Sequence, residues 1–569
     1  MSSDALVFDM ANSSREDPSI FVKKDWLAIN DSMNESYIGN EVIIETSALS
    51  NSNKYLDYRQ GYLQVPLLLT LTSNSVNTMT PETSSTSADH VLGLKNWIGS
   101  VFHNLTIEMN GTTICQQTNF LPLYNNFKLL TSLSYGDYQM FSSIGFCPDD
   151  ALSFVFTNAN SENGTAGVSN NQNALAFPTV NAIHNTYHTG NKGFLTRQQY
   201  WNFDTAGTTG VGITGTQAYS TLQTSTYANQ LHKSYIFNKV DGSATAKAVF
   251  QQAITGIVYL RHLHDFFDKM PLLKGVFLRI RLGISNVSVA FTVASSIYTA
   301  CSVTNALGGV NPLMLASCHT GNGGKASLVD DSYIASLAVG GKVLDATQKA
   351  ITGVQDSPLA RSVSLHIASY TMVPQMEIAF LSKPIKRISY EDTYQFTIQR
   401  IASGSQINSL ISNGISNLKK VICMSVFTAS GNQGTMAQIQ SPFDTCGGGT
   451  LAPLAHLSNY NVVVSGANTF LDSVKYNYSM FQNHVLGTNS VNGGLTDGVG
   501  SSFINSQDWE TSYGYYVADV GRMLEVEKDV PKSLSIVGQS LSTRETDMYV
   551  FAVYSTEIVV DALTGSRTA

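Results

Sequence analysis

Between Gly61 and Thr72 the chain reads GYLQVPLLLTLT, and every second residue from Leu63 through Val65, Leu67 and Leu69 to Leu71 is aliphatic. Successive side chains leave a strand on opposite sides, so a period of two puts all five on one face of a β-strand. The pattern recurs. Val276, Leu278, Ile280, Leu282 and Ile284 alternate with Phe277, Arg279, Arg281 and Ser285. In FHNLTIEMNGTTI, at 102–114, Leu105, Ile107 and Met109 run into Asn110-Gly111, and Ile114 follows. Asn-Gly between alternating runs predicts a hairpin, because both turn positions need positive φ. Strands are also expected at 288–304, 362–373, 375–383, 393–401 and 417–429. The last run, DMYVFAVYSTEIVV at 547–560, is apolar on both faces, Tyr549, Phe551 and Val553 against Val550, Ala552 and Tyr554. Such a strand is a central one, covered on both sides.

Helical spacing is scarce. NFLPLYNNFKLLTSLS at 119–134 carries Leu123, Phe127, Leu130 and Leu133, with Pro122 suited to a first turn. GIVYLRHLHDFFDKM at 256–270 places Ile257, Leu260, Leu263 and Phe267 on one stripe and ends at Met270-Pro271. Charged residues are only 13% of the 569, and hydrophobic residues are 43%. That is enough apolar surface for real cores, and it excludes a disordered chain. Asn, Ser, Thr and Gly take the place of charge, as in many turns joining short strands. The sequence therefore reads as all-β, a sandwich or jelly roll used twice, with long loop insertions and a few short helices. The expected division is an N-terminal arm at 1–20, a first unit at 21–270 with an insertion near 155–250, and a second at 271–569. Insertions near 305–360 and 430–515 are assigned to that second unit, and Met270-Pro271 marks the joint.

The formal net charge of −8 argues against broad phosphate neutralisation. Lys23-Lys24, Lys386-Arg387 and Lys419-Lys420 are read as solvated strand ends. Arg15, Lys23 and Lys24 are offset by Glu16, Asp17 and Asp25, which leaves at most weak non-specific contact with nucleic acid. The six cysteines, at 115, 147, 301, 318, 423 and 446, form no C-x-x-C pair and read as mostly buried free thiols. No apolar run reaches membrane-spanning length, and the opening MSSDALVFDMANSSRED has no signal-peptide pattern.

Chemical motifs are weak. His262 and His264 stand at i, i+2 beside Asp265 and Asp268, unlike the i, i+4 pair of a zinc helix. Cys318-His319 are loop neighbours. TGNGGK at 320–325 and CGGGT at 446–450 lack the spacing of a phosphate loop. Asp508 and Glu510 flank Trp509 and would need a cleft to act on a sugar. No residue is assigned a catalytic, cofactor or metal role, and no cofactor is expected.

Four stretches together resemble the double jelly-roll major capsid proteins of the polinton-like virus and virophage group, within the adenovirus-like lineage. They are FVKKDWLAINDSMNESYIGNEVIIETSALSNSNKYLDYRQGYLQVPLLLTL at 21–71, FHNLTIEMNGTTI at 102–114, DFFDKMPLLKGVFLRIRL at 265–282 and DMYVFAVYSTEIVVDALTG at 547–565. The resemblance implies two side-by-side eight-stranded jelly rolls and a homotrimer forming a pseudo-hexagonal capsomer. It further implies an icosahedral shell around double-stranded DNA, with neighbouring capsomers, penton and minor capsid proteins as partners. The chain would then be made and assembled inside the host cell and reside in the virion, with no enzymatic activity. Two other readings stand beside it. One is a carbohydrate-binding β-sandwich, an adhesin or glycoside hydrolase, suggested by the 26 tyrosines and Asn/Gly-rich loops. The other is a minor vertex protein of such a virus.

Overall fold

The computed structural model describes residues 20–133, 246–341 and 362–561, and short stretches between 134 and 245. Within these spans it leaves out 34–36, 38, 51–53, 74–91, 295–296, 316–330, 429–436, 443–455, 472–474, 486–502, 512, 522–528 and 543–544. The expected arm at 1–20 falls almost wholly outside the described residues, as do most of the 155–250 insertion and 342–361.

The first sandwich uses β1 (Phe21–Asn30), β2 (Glu41–Glu45), β3 (Tyr55–Ser73), β4 (Phe102–Met109) and β5 (Thr112–Thr118). Helix α1 (Leu121–Ser132) follows, then β6 (Ala246–Tyr259), the short helices α2 (Leu260–Leu263) and α3 (Asp265–Lys269), and β7 (Leu278–Ile284). An insertion carries β8 (Val287–Ala294), β9 (Ile297–Asn305) and β10 (Asp331–Val339), and β11 (Ser364–Met372) closes the unit. One sheet runs β1-β11-β3-β6, and the facing sheet runs β2-β7-β4-β5. Numbered along the eight strands that make the two sheets, the orders are 1-8-3-6 and 2-7-4-5. Leu63, Val65 and Leu67 of β3 are buried, as are Leu105 and Ile107 of β4 and Ile280 and Leu282 of β7. They share one apolar core.

Helix α4 (Pro374–Leu381) leads into the second sandwich. Its strands are β12 (Ile385–Ile401), β13 (Gln406–Ile415), β14 (Leu418–Phe427), β15 (Leu457–Val464) and β16 (Ala467–Asn468). Helices α5 (Tyr478–Val485) and α6 (Ser506–Thr511) precede β17 (Tyr516–Asp519), β18 (Lys532–Ser540) and β19 (Thr546–Asp561). The sheets run β12-β19-β14-β17 and β13-β18-β15-β16, again 1-8-3-6 and 2-7-4-5. Each order is that of a jelly roll. In both units, helix occupies the link between the fifth and sixth strands. The protein is a double jelly roll, read directly from its hydrogen-bonded strand order.

Several expectations are met at the level of single residues. Asn110 and Gly111 take φ of 47° and 80°, and Met109 pairs with Thr112 across the turn. Helix α1 lies inside the expected 119–134, with Pro122 in its first turn. Strand β19 is central, between β12 and β14.

Others are corrected. Met270-Pro271 is not the joint. Strand β7, expected to open a second unit, pairs with β2 and β4 of the first. Its outward arginines explain why: Arg279 reaches Glu45 at 3.1 Å, and Arg281 reaches Glu41 at 3.0 Å. The insertion near 305–360 therefore belongs to the first unit, and the change of sheet falls at α4. The expected helix at 256–270 is strand as far as Tyr259, because β6 pairs with β3 along that length. Segment 375–383, expected as a strand, is α4, opened by Pro374 in its first turn. Segment 288–304 is the β8–β9 hairpin rather than one strand.

The long strand β3 extends the sheet beyond the sandwich. Its first half, Tyr55–Gln64, pairs with β11, and Leu67–Ser73 pairs with β10 on the same edge. The β8–β10 insertion thus prolongs the 1-8-3-6 sheet, and its Val287, Val289, Leu337 and Val339 join the same buried core.

Candidate functional site

The residues best placed for function lie at the seam between the two jelly rolls. Strand β19 alternates between two cores. Met548, Val550 and Ala552 face the core of the second sandwich, while Tyr549, Phe551 and Val553 face the first. Neighbouring β14 divides the same way, with Val421 and Cys423 inward and Ile422, Met424 and Val426 toward the seam. Helix α1 covers this outer face: Phe120 packs on Tyr549 with ring centroids 4.6 Å apart, and Tyr124 on Phe551 at 5.6 Å. Each large side chain fully buried there contributes about 1.5–3 kcal/mol. The seam is therefore continuous with the hydrophobic core of the first jelly roll.

Polar groups pin it. Asp265 Oδ2 accepts the backbone N–H of Glu391 at 3.0 Å, and Tyr390 Oη donates to the Ile114 carbonyl at 2.9 Å. Deeper, Cys115 of β5, His264 before α3 and Asp392 of β12 come together, all buried. Asp392 Oδ1 lies 3.3 Å from His264 Nε2 and 3.6 Å from Cys115 Sγ, and it accepts the Thr393 N–H at 2.8 Å. Tyr554 Oη donates to Oδ2 at 3.0 Å. Burial alone would raise the Asp392 pKa, but the hydrogen bonds from His264, Thr393 and Tyr554 outweigh it and hold the carboxyl below its ordinary value.

Burial opposes charge on the His264 ring, against the pull of Cys115 and Asp392. The cap sides with burial. Nδ1 accepts the Phe266 N–H at 3.2 Å and so must keep its lone pair. This geometry decides the tautomer: the ring is neutral and its proton sits on Nε2, donated to Asp392.

That tautomer also answers the question of a metal. The three donor atoms lie within 4.8 Å of one another, and the two distances from Oδ1 approach the roughly 3.3–3.7 Å edges of a tetrahedral zinc shell. A metal on Nε2 would move the ring proton to Nδ1, where the Phe266 N–H already points. The donor set does not fit a resident metal. It does not fit a nucleophile–base pair either, since the thiol and the imidazole N–H both converge on one carboxylate oxygen. The cluster is a satisfied hydrogen-bond lock between the two jelly rolls.

The other candidates separate. His262 is buried, and burial together with Arg261 and Lys128 lowers its pKa to about 3. Asp268 pairs with Arg59 at 3.3 Å and Lys269 at 3.1 Å. Trp509 is buried among Tyr476, Phe481 and Tyr516, and its Nε1 donates to the Tyr515 carbonyl at 2.9 Å, so it is no sugar platform. Lys23 and Lys54 both hold Asp25, at 3.0 and 2.7 Å. Cys318, His319, 320–325, 446–450 and Arg15 with its acidic neighbours lie outside the described residues. Sequence reasoning missed Asp392, although a signal was present. It shares strand parity with Ile388 and Tyr390, an acid on an otherwise buried face.

No family model and no curated protein sequence matches this chain. Among solved structures it is similar to a chain of the Sputnik virophage cryo-EM structure, at 12% identity over 97% of this chain and 88% of that one, with a TM-score of 0.48. It is similar to the mavirus major capsid protein at 9% identity, over 95% and 89% of the two chains, with a TM-score of 0.45. The Faustovirus major capsid protein gives 10% identity, 97% and 94% coverage and a TM-score of 0.42. The strand orders above establish the fold independently of these likenesses. Among the described residues, no helix is long and apolar enough to cross a membrane.

Proposed function

We propose that this chain is a major capsid protein whose mechanism is assembly rather than catalysis. Three copies form a ring of six jelly rolls, a pseudo-hexagonal capsomer. Such capsomers tile an icosahedral shell around double-stranded DNA, with penton and minor capsid proteins as further partners, and the protein resides in the virion.

One observation carries this reading: the chain contains a contact that it can repeat. Within the chain, the helix between strands five and six of the first unit covers the outer face of the second unit's 1-8-3-6 sheet. The second unit has helices at the same place, α5 and α6. The first unit's 1-8-3-6 sheet keeps an aromatic outer face. On it Trp26 is 50% exposed, Tyr62 stacks on His366 with centroids 4.9 Å apart, and Tyr259 follows at 6.0 Å from Tyr62. Repeating the internal contact between chains, the second unit of one on the first unit of the next, is a head-to-tail arrangement that closes when the rotation allows. Six similar units around an axis make three chains. Aromatic residues are enriched at the centres of such interfaces.

The solution mass of the purified protein, with negative-stain images of the same fraction, tests this. A species near three times 61.5 kDa with a hexagonal outline supports the capsomer. A folded monomer at every accessible concentration removes it. The same row of Trp26, Tyr62 and Tyr259 also suits the flat face of a sugar ring, which supports the carbohydrate-binding reading. Glycan binding by a stable monomer would favour that alternative.

A further inference from the structure

A cleft of about 240 Å³ opens at the seam, walled by α1, α3, β12, β14 and β19. Four ammonium groups line it, Lys128, Lys269, Lys419 and Lys420, against two carboxylates, Asp265 and Glu391. Adjacent residues on a strand normally point to opposite faces, yet Lys419 and Lys420 each reach Glu391, both at 3.4 Å. The register shift between Leu418 and Lys420 permits this, since a bulge re-aims a side chain. Glu391 is thereby shared by two cations, which hold its pKa below the ordinary value against burial. Asp265 is occupied by the Glu391 N–H, and Lys269 turns to Asp268 at 3.1 Å.

Lys128 is the least neutralised. Its Nζ donates to the Arg261 carbonyl at 3.3 Å, one contact for a group with three donors. Burial and nearby Lys420 lower its pKa, against the pull of Asp265, Asp268 and Glu391. Ser389 and Ser555 line the same cleft. Here, then, is an excess of positive charge in a partly enclosed space, with uncommitted N–H donors and room for several heavy atoms.

We propose that this cleft binds a small phosphate-bearing anion, held by Lys128, Lys419 and Lys420 and bridging the two jelly rolls. A lysine holds phosphate as a point charge with rotatable donors, so it needs no fixed fork geometry. A bound anion would offset the repulsion between Lys128 and Lys420. It would also tie α1 of the first unit to β14 of the second, adding to seam stability by linkage. The site is complete within one chain and does not depend on assembly.

Sodium tripolyphosphate and inorganic phosphate, titrated into the full chain by calorimetry and by thermal shift, test the site against sodium chloride and sodium acetate at matched ionic strength. The expected result is saturable binding of the phosphates alone, with a rising melting temperature and affinity reduced at least tenfold in Lys420→Gln. Lys419→Gln, at a more exposed position, serves as the second variant should the first or Lys128→Met fail to fold, and it too should weaken binding. Heats no larger than those of the salt controls, equal binding of acetate, or unchanged affinity in a folded lysine variant would each overturn the proposal.

Discussion

His264 Nε2 and Asp392 Oδ1 lie 3.3 Å apart across 128 residues of chain, and this contact ties a helix of the first jelly roll to the opening strand of the second. It is buried, and the Thr393 N–H and the Tyr554 hydroxyl donate to the same carboxylate. The two units are thus joined by polar specificity inside an apolar seam, with Phe551 and Tyr549 on one side and Phe120 and Tyr124 on the other.

Removing that acceptor should be costly. Asp392→Ala leaves His264, Cys115, the Thr393 N–H and Tyr554 without their shared partner in a buried site. Leaving a buried neutral donor without its acceptor typically costs about 1–3 kcal/mol. Chemical denaturation of the variant should show a loss of this size, and Asp392→Asn, which keeps the shape, a smaller one. A change below about 1 kcal/mol would mean that the lock is not structural.

Acid should weaken the fold through two buried histidines. Burial lowers the His103 pKa to about 4, and burial with Arg261 and Lys128 lowers that of His262 to about 3, from 6.5. Below 6.5 the unfolded chain takes up protons that the folded chain refuses. This stability is therefore whole above about pH 6.5 and drains as pH falls toward 4 and then 3. At about 1.4 kcal/mol per pKa unit, each residue accounts for a few kcal/mol over its window. Melting temperatures between pH 7 and 4 should fall, and His103→Gln should flatten the slope. An equal slope in that variant would assign the acid sensitivity elsewhere.

Two aromatic residues should behave oppositely. Phe551→Ala empties a seam position that is fully buried and should destabilise the folded chain by about 3–5 kcal/mol. Trp26→Ser acts on a half-exposed ring and should leave monomer unfolding nearly unchanged while lowering the fraction of the proposed trimer in sedimentation. A Trp26→Ser protein that sediments as the parent does would place the subunit contact on another face.

Gly256 in β6 leaves no room for a side chain. A Cβ there would lie 1.7 Å from Cδ1 of buried Ile98. Gly256→Ala should cost about 1–3 kcal/mol through overpacking. Pairing it with Ile98→Val should recover part of the loss. The absence of recovery would show that backbone displacement, rather than the Ile98 contact, sets the penalty.

Much of the local structure was legible in the sequence. The alternation of Leu63 to Leu71 and of Val276 to Ile284 marked buried strand faces, and Asn110-Gly111 marked its hairpin. The two-faced apolar run around Phe551 marked a strand covered on both sides. The jelly-roll reading followed from such runs and from the resemblance they carried. The placement of β7 was misread, because its run-up through Asp265 and Met270 has the look of a fresh start. The meeting of Cys115, His264 and Asp392 was not legible, because they stand far apart in the chain and only Asp392 broke the pattern of its strand.

The physical reason lies in what a period of two encodes. It determines which side chains share a face, so the sequence by itself determined the strands with clear alternation, their buried sides and the Asn110-Gly111 turn, but not the helix at α4 or the strand end at Tyr259. It says nothing about which strand becomes the neighbour. That choice rests on non-local hydrogen bonds, on cross-strand pairs such as Arg281 with Glu41, and on which sheet covers which. Tertiary structure alone decided that β7 closes the first jelly roll, that the units change at α4, and that a carboxylate, a thiol and an imidazole meet inside the seam.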